Sequence, residues 1–132
     1  MGGTPVESVE AAVYTVPTDA PEGDGTLAWD STTMVLARAQ AGGVHGIGWT
    51  YGSAACAPVI TGTLAAVVRG RDALDVAGAW EAMIRAVRND GRPGAVGYAI
   101  SAVDVALWDL KARLLDVSLR RSAASAKRWT SA

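Results

Sequence analysis

The hydrophobic pattern of the chain changes period once. From Val6 to Val16 the bulky positions Val9, Val13 and Tyr14 alternate weakly with smaller or polar ones, and the run stops at Pro17, which predicts a first strand. Trp29 to Gln40 is rich in residues that favour a pleated surface, Thr32, Thr33, Val35 and Leu36 among them, and predicts a second. Ala41-Gly42-Gly43 supplies the permissive backbone of a tight turn. Val44 to Gly52 then alternates Val44, Gly46, Gly48 and Thr50 against His45, Ile47, Trp49 and Tyr51. The expectation is a three-stranded antiparallel meander. Between its first two strands, Pro17 to Ala28 contains two prolines, two glycines and three acids, and reads as a loop of unusual length.

After Gly52 the period becomes helical. Ile60, Leu64, Val67 and Val68 recur at helical spacing, Pro58 fits only the first turn of that helix, and Gly70 ends it. Asp72 and Asp75 are both suitable N-caps for a second helix reaching about Asn89. It carries Val76, Trp80, Met83, Ile84 and Val87 on one face, with Glu81 and Arg85 spaced for an i,i+4 pair. A third helix is predicted from about Ala95 to Leu115. Val96, Ile100, Val103, Leu107, Leu110 and Leu114 form its stripe, and Ala99, Ala102 and Ala106 form a second face small enough for close packing. Strands followed by helices make the class α+β: the meander followed by a three-helix bundle.

Composition narrows the reading. In 132 residues, 50% are hydrophobic and 19% charged, which is the balance of one globular domain rather than a disordered chain. One cysteine excludes an internal disulfide framework, and one histidine excludes a His-rich metal site. The N-terminus has neither a basic segment nor an apolar core of a secretory signal, and no apolar run reaches the roughly 18 residues of a membrane span. A cytoplasmic setting with no membrane partner is therefore expected. Charge is uneven: residues 1–112 hold seven cations against twelve anions, while residues 113–132 hold five cations against Asp116 alone. From Leu119 onward neither period is visible, so residues 120–132 are expected to be a disordered, solvated tail rather than a nucleic-acid arm.

Candidate chemistry is sparse. His45 lies beside a glycine-rich turn with no acid nearby in sequence to orient it, and reads as a hairpin histidine. Cys56, just before Pro58, reads as a small packed residue rather than a reactive thiol. Asp104 and Asp109 are about 140° apart around a helix and do not make a shared metal site. The cluster Gly42, Gly43, Gly46, Gly48 sits between strands, whereas a dinucleotide fingerprint needs a strand-to-helix turn.

The run from Ala99 to Arg113, AISAVDVALWDLKAR, resembles the motif that closes the N-terminal domain of the mandelate racemase/muconate lactonizing group of the enolase superfamily. Ala99, Ser101, Ala102, Val103, Asp104, Ala106, Leu107, Asp109, Leu110, Ala112 and Arg113 carry the likeness, and Leu114 to Leu119 resembles the linker into the barrel. The resemblance implies a capping domain over residues 1–119. It implies an enzyme family, isomerases and lyases, that abstracts a proton next to a carboxylate with Mg²⁺ stabilising the enediolate; racemisation, cycloisomerisation and sugar-acid dehydration are its outcomes. The catalytic base and the Mg²⁺ ligands belong to a C-terminal barrel of about 250 residues. This chain is accordingly expected to hold no catalytic residue, cofactor or metal of its own, and to be inactive alone. It would meet a carboxylate or acid-sugar substrate only if a barrel were supplied.

The family closes its site with the loop after the first strand and the segment after the third. The resemblance thereby implies Glu22, Thr26, Leu27, Trp29 and Tyr51 as substrate-lid candidates, in the loop 19–28 and the corner 51–53. After Leu119 the family pattern stops, and a truncation by a shifted reading frame is expected. An uncovered apolar face would make the chain a homo-oligomer, and the alternative function is a non-catalytic, self-associating interaction module.

Overall fold

A computed structural model describes residues 3–126. Strand β1 spans Ser8–Gly23, β2 spans Ala28–Ala41 and β3 spans Val44–Tyr51. They form one antiparallel sheet in the order β1-β2-β3. Cross-strand partners share a face, and the side chains alternate. Val9, Val35, Ala37, Ala39 and Ala41 point to one side and are buried. On that side lies helix α4, Ala95–Leu114, whose Ala99, Ile100, Ala102, Val103, Ala106, Leu107 and Leu110 complete the core.

The contact between α4 and β3 depends on small residues from both partners. A Cβ added to Gly46 would come closer than 3.0 Å to Ala106 O, Leu110 N and Leu110 Cα, and one on Gly48 would collide with Ala102 O and Ala106 N. The sheet backbone therefore touches the helix backbone directly, against the alanine face foreseen in the sequence. The Gly42-Gly43 turn also matches expectation, with both glycines at positive φ.

The helices depart from the expected form in detail. The first is interrupted: α1, Cys56–Val59, runs into a π-helical turn at Ile60–Leu64 and resumes as α2, Ala65–Val68, before Gly70 at φ 81°. Helix α3 spans Val76–Ala86. Of its two cap candidates, Asp75 serves, accepting from Gly78 N at 3.0 Å, while Asp72 accepts from Leu74 N in the preceding turn. Among the described residues Glu81 and Arg85 form no ion pair; the pair that does form is Asp109–Arg113. Val6, expected in the first strand, instead exchanges backbone hydrogen bonds with the α2–α3 connection, through Arg71 O and Gly70 N.

Two expectations are corrected. The supposed loop 17–28 is mostly strand: β1 and β2 continue past the end of β3 as a two-stranded arm, with a register irregularity between Pro17 and Glu22 and a tip at residues 24–27. Proline is tolerated there because β1 is an edge strand and its outward N–H groups need no partner. The tail expected to be disordered begins as helix α5, Leu119–Ala126. Ser118 starts it, its Oγ accepting from Arg121 N at 3.3 Å, and the arginines and alanines that follow are good helix formers. Ser122 is buried. The rest of the expected tail, residues 127–132, lies outside the described residues.

Candidate functional site

The meander puts the end of β1, the start of β2 and the end of β3 at one end of the sheet. All five lid candidates lie towards that end, in two groups. Four occupy the arm. Glu22 and Trp29 are cross-strand partners, and Trp29 Nε1 donates to Glu22 Oε2 at 3.1 Å. The tip beyond them is organised by Asp24. Its Oδ1 accepts from Thr26 N at 2.7 Å, Thr26 Oγ1 at 2.8 Å and Leu27 N at 2.9 Å. Those bonds, the Thr26 amide foremost, hold the Asp24 carboxyl below its ordinary range. Thr26 is thereby fixed by its neighbour, and Leu27 projects 68% exposed.

Tyr51 stands apart. It pairs with Met34, five residues from Trp29 along β2, or about 17 Å at the strand rise. Its ring meets Trp49 edge-on, with centroids 5.0 Å apart. Together with Val16, Pro17, Thr18, Thr32 and Met34 it lines a largely apolar hollow of about 260 Å³ at the root of the arm. A short turn after Tyr51 leads to the start of α1. Gly52 lies against Tyr98 of α4, and Cys56 Sγ donates to Ala95 O at 3.4 Å. Burial raises the Cys56 thiol above its ordinary pKa, so it is a packed group that ties two helix starts together, as expected.

Neither acid of α4 belongs to this end of the chain's chemistry. Asp109 Oδ2 accepts from Ile47 N and from Arg113 Nε, each at 2.9 Å. Asp104 lines a cleft of about 510 Å³ between α3 and α4 with Trp80, Ile84, Arg92, Pro93, Ile100 and Ser101, and burial raises its carboxyl. His45, beside the turn, pairs with Gln40 across the hairpin, and its Nδ1 is buried without a partner among the described residues. Sequence reasoning missed Asp24 as the organiser of the tip, although Asp-Gly-Thr carries the signature of an Asx turn. It also missed Trp49 as the neighbour of Tyr51, for which strand alternation was the available signal.

Among the described residues no group of three or more His, Cys, Asp or Glu side chains could hold a metal ion. No helix among them is long and apolar enough to cross a membrane.

Comparison with known proteins places this geometry. The profile described as mandelate racemase / muconate lactonizing enzyme, N-terminal domain, matches residues 8–121. A mandelate racemase/muconate lactonizing enzyme-like protein from Rubrobacter xylanophilus is 52% identical with a TM-score of 0.88, over 89% of this chain and 33% of that one. A racemase from Streptomyces coelicolor A3(2), solved with bound magnesium, is 34% identical with a TM-score of 0.77, over 80% of this chain and 31% of that one. The curated 3,6-anhydro-alpha-L-galactonate cycloisomerase of Streptomyces coelicolor is 33% identical over 112 residues, which is 80% of this chain and 31% of the relative. The chain thus spans about a third of the length of the relatives it matches. With its meander, its helices and this match, the chain belongs to the mandelate racemase/muconate lactonizing enzyme family, as an N-terminal domain.

Proposed function

We propose that residues 1–119 are the capping unit of an enzyme that abstracts a proton next to a carboxylate, acting on an acid-sugar or related carboxylate substrate, and that the arm and the Tyr51 corner form its lid. The observation that carries this reading is that Glu22, Thr26, Leu27 and Trp29 on the arm and Tyr51 at its root lie towards one end of the sheet, in a chain of this family. An arm with exposed apolar groups at its tip and root would exclude water from a site beneath it, which strengthens electrostatic interactions there. The Trp29–Glu22 hydrogen bond holds the indole in one orientation, and the Asp24 tip holds Leu27 outward. These residues bind and shield; the proton transfer and the magnesium belong to a barrel. On this reading the chain by itself does not turn over substrate, residues 120–132 lie beyond the cap, and the lone Cys56 suits a reducing, cytoplasmic compartment.

The test is a chimera in which residues 8–121 replace the matching segment of the Rubrobacter relative. Magnesium-dependent exchange of the proton beside the carboxylate is followed on a panel of sugar acids. Trp29→Ala and Tyr51→Ala are expected to change the ratio of kcat/KM between substrates by about tenfold or more, equivalent to ~1.4 kcal/mol. Ratios unchanged within about twofold would refute the lid assignment, and turnover by the isolated chain would refute its inactivity.

A second reading, a self-associating module without catalysis, is favoured by the outer face of the sheet, where Tyr14, Ile47, Trp49 and Tyr51 are exposed and no described element lies over them.

A further inference from the structure

The two acids of α4 have opposite surroundings. Asp109 accepts two hydrogen bonds. Asp104, five residues earlier, accepts none among the described residues and forms no ion pair with them. It lies half-buried where two hollows meet, the cleft of about 510 Å³ described above and a second of about 340 Å³. Trp80 of α3 lines both hollows with it, Ser101 lines the first and Trp108 the second. Residues 101, 104 and 108 follow one another at spacings of three and four, so they share one face of α4. Burial raises the Asp104 carboxyl: the group is partly stripped of water and receives no hydrogen bond in exchange.

We propose that this groove between α3 and α4 binds a small alkylguanidinium ion, with Asp104 as its counter-ion. The donor set selects the class. A hard metal ion takes several oxygen ligands, and no such group of acids is present among the described residues. An organic cation is held by one carboxylate and an aromatic face, and two indoles border this acid. Trp108 already has Lys111 Nζ at 5.1 Å from its ring centroid. Trp80 is 41% exposed, has no ring or cation partner among the described residues, and offers the free face. A guanidinium suits this set better than an ammonium. Its planar fork matches both oxygens of a carboxylate while its plane stacks on an indole, and a further N–H remains for a hydroxyl such as that of Ser101. Ile84, Pro93 and Ile100 give an alkyl chain an apolar lining.

The cleft's own cation does not fill this role. The Arg92 carbonyl oxygen lies against Gly97, seven residues or about 10 Å along the helix from Asp104. Arg92 is exposed, so water and salt screen its repulsion of a bound cation. Keeping an unpaired, half-buried acid at Asp104 costs the fold stability at neutral pH, and a group that costs stability without completing an internal contact is a candidate ligand site. The groove shares no residue with the hollow at the root of the arm, so this inference is independent of the lid. One ion pair and one stacked ring in an open cleft give weak binding, in the millimolar range.

Indole N–H resonances of the isotope-labelled chain, followed during titration with butylguanidinium chloride, test it. The Trp80 and Trp108 signals should shift together and saturate, while those of Trp29 and Trp49 stay in place. Butylurea, which has nearly the same shape without the charge, should give no saturation. Asp104→Asn should raise the dissociation constant more than about tenfold, as loss of hydrogen bonds to a charged group would. Far-UV circular dichroism reports that the variant is folded. No saturable shift, equal saturation by butylurea, or a folded Asp104→Asn variant that binds as before would each overturn the site. The chimera with the Rubrobacter relative separates a ligand site from a seam between domains. Binding retained beside that barrel supports the site; binding lost there would overturn it, because the barrel would then fill the groove. The lid assignment, read from substrate ratios, is untouched by any of these results.

Discussion

Asp109 on α4 accepts the backbone N–H of Ile47 on β3 at 2.9 Å, with 62 residues between them in sequence. Because β3 is an edge strand, that N–H has no neighbouring strand to receive it, and the carboxylate does so instead. The same oxygen accepts from Arg113 Nε, so one helix acid serves both its i,i+4 neighbour and the sheet edge. Asp109→Ala is expected to lower stability by about 1–3 kcal/mol, the range for hydrogen bonds made to a charged group. Arg113→Ala, at a 54% exposed side chain, is expected to cost about 1 kcal/mol or less. Urea midpoints of the two variants, with Asp109→Asn as the control that keeps an acceptor, measure the difference.

As at Gly46, the close approach of β3 to α4 leaves no room for a side chain at Gly48. A methyl group there would meet the Ala102 carbonyl oxygen and the Ala106 amide, neither of which can move without bending the helix. Gly48→Ala is expected to destabilise the fold by about 3 kcal/mol, at the upper end of overpacking costs. Gly62→Ala, where nothing lies within 4 Å of the added methyl, is the matched control and is expected to be close to neutral. Equal midpoints for the two would contradict the packing described above.

Asp24 links the arm to pH. Its carboxyl is held below its ordinary value by bonds made to the charged form, so the tip is closed above the unfolded pKa of about 3.9 and opens as pH falls through the lower folded value. Amide resonances of Thr26 and Leu27 should shift together, with a midpoint below that of a free aspartate. Asp24→Asn should abolish the transition. A midpoint at or above the ordinary value would contradict the clasp.

Asp104 titrates in the opposite sense. Burial against the α3–α4 cleft raises its carboxyl, so the neutral form favours the folded state. That contribution is fully present below the unfolded pKa and is lost as pH rises through the raised folded value. Asp104→Asn is therefore expected to be more stable than the unsubstituted chain at neutral pH, with the gap closing in acid. Denaturation midpoints at the two pH values test the sign.

Much of this architecture is legible in the sequence because its signals are local. The alternation in Val44–Gly52, the Gly42-Gly43 turn and the stripe on α4 each repeat over several residues, and tertiary packing agrees with them. The arm was not legible, because Pro17, Pro21 and Gly23 are residues that usually end strands; on a two-stranded ribbon, where each strand keeps a free edge, they do not. Helix α5 was hidden by the same reliance on apolar periodicity, since its Ser118 cap and its arginines and alanines favour a helix without a stripe. The π-helical turn at Ile60–Leu64 has no local marker that a periodicity reading detects. For the lid, the family likeness pointed to the residues, while only the register shows that Glu22 and Trp29 touch and that Tyr51 stands about 17 Å away along the strand.

Where β3 ends at Tyr51, the ribbon of β1 and β2 goes on alone. Below that point the direct seating of Gly46 and Gly48 on α4 makes strands and helix one rigid block; above it each strand has a single neighbour. Thermal bending must then concentrate at a fulcrum near Thr15 and Thr33, whose hydroxyls sit 3.3 Å apart. Glu22 and Trp29, tied to each other by a hydrogen bond, would then swing together beyond that point.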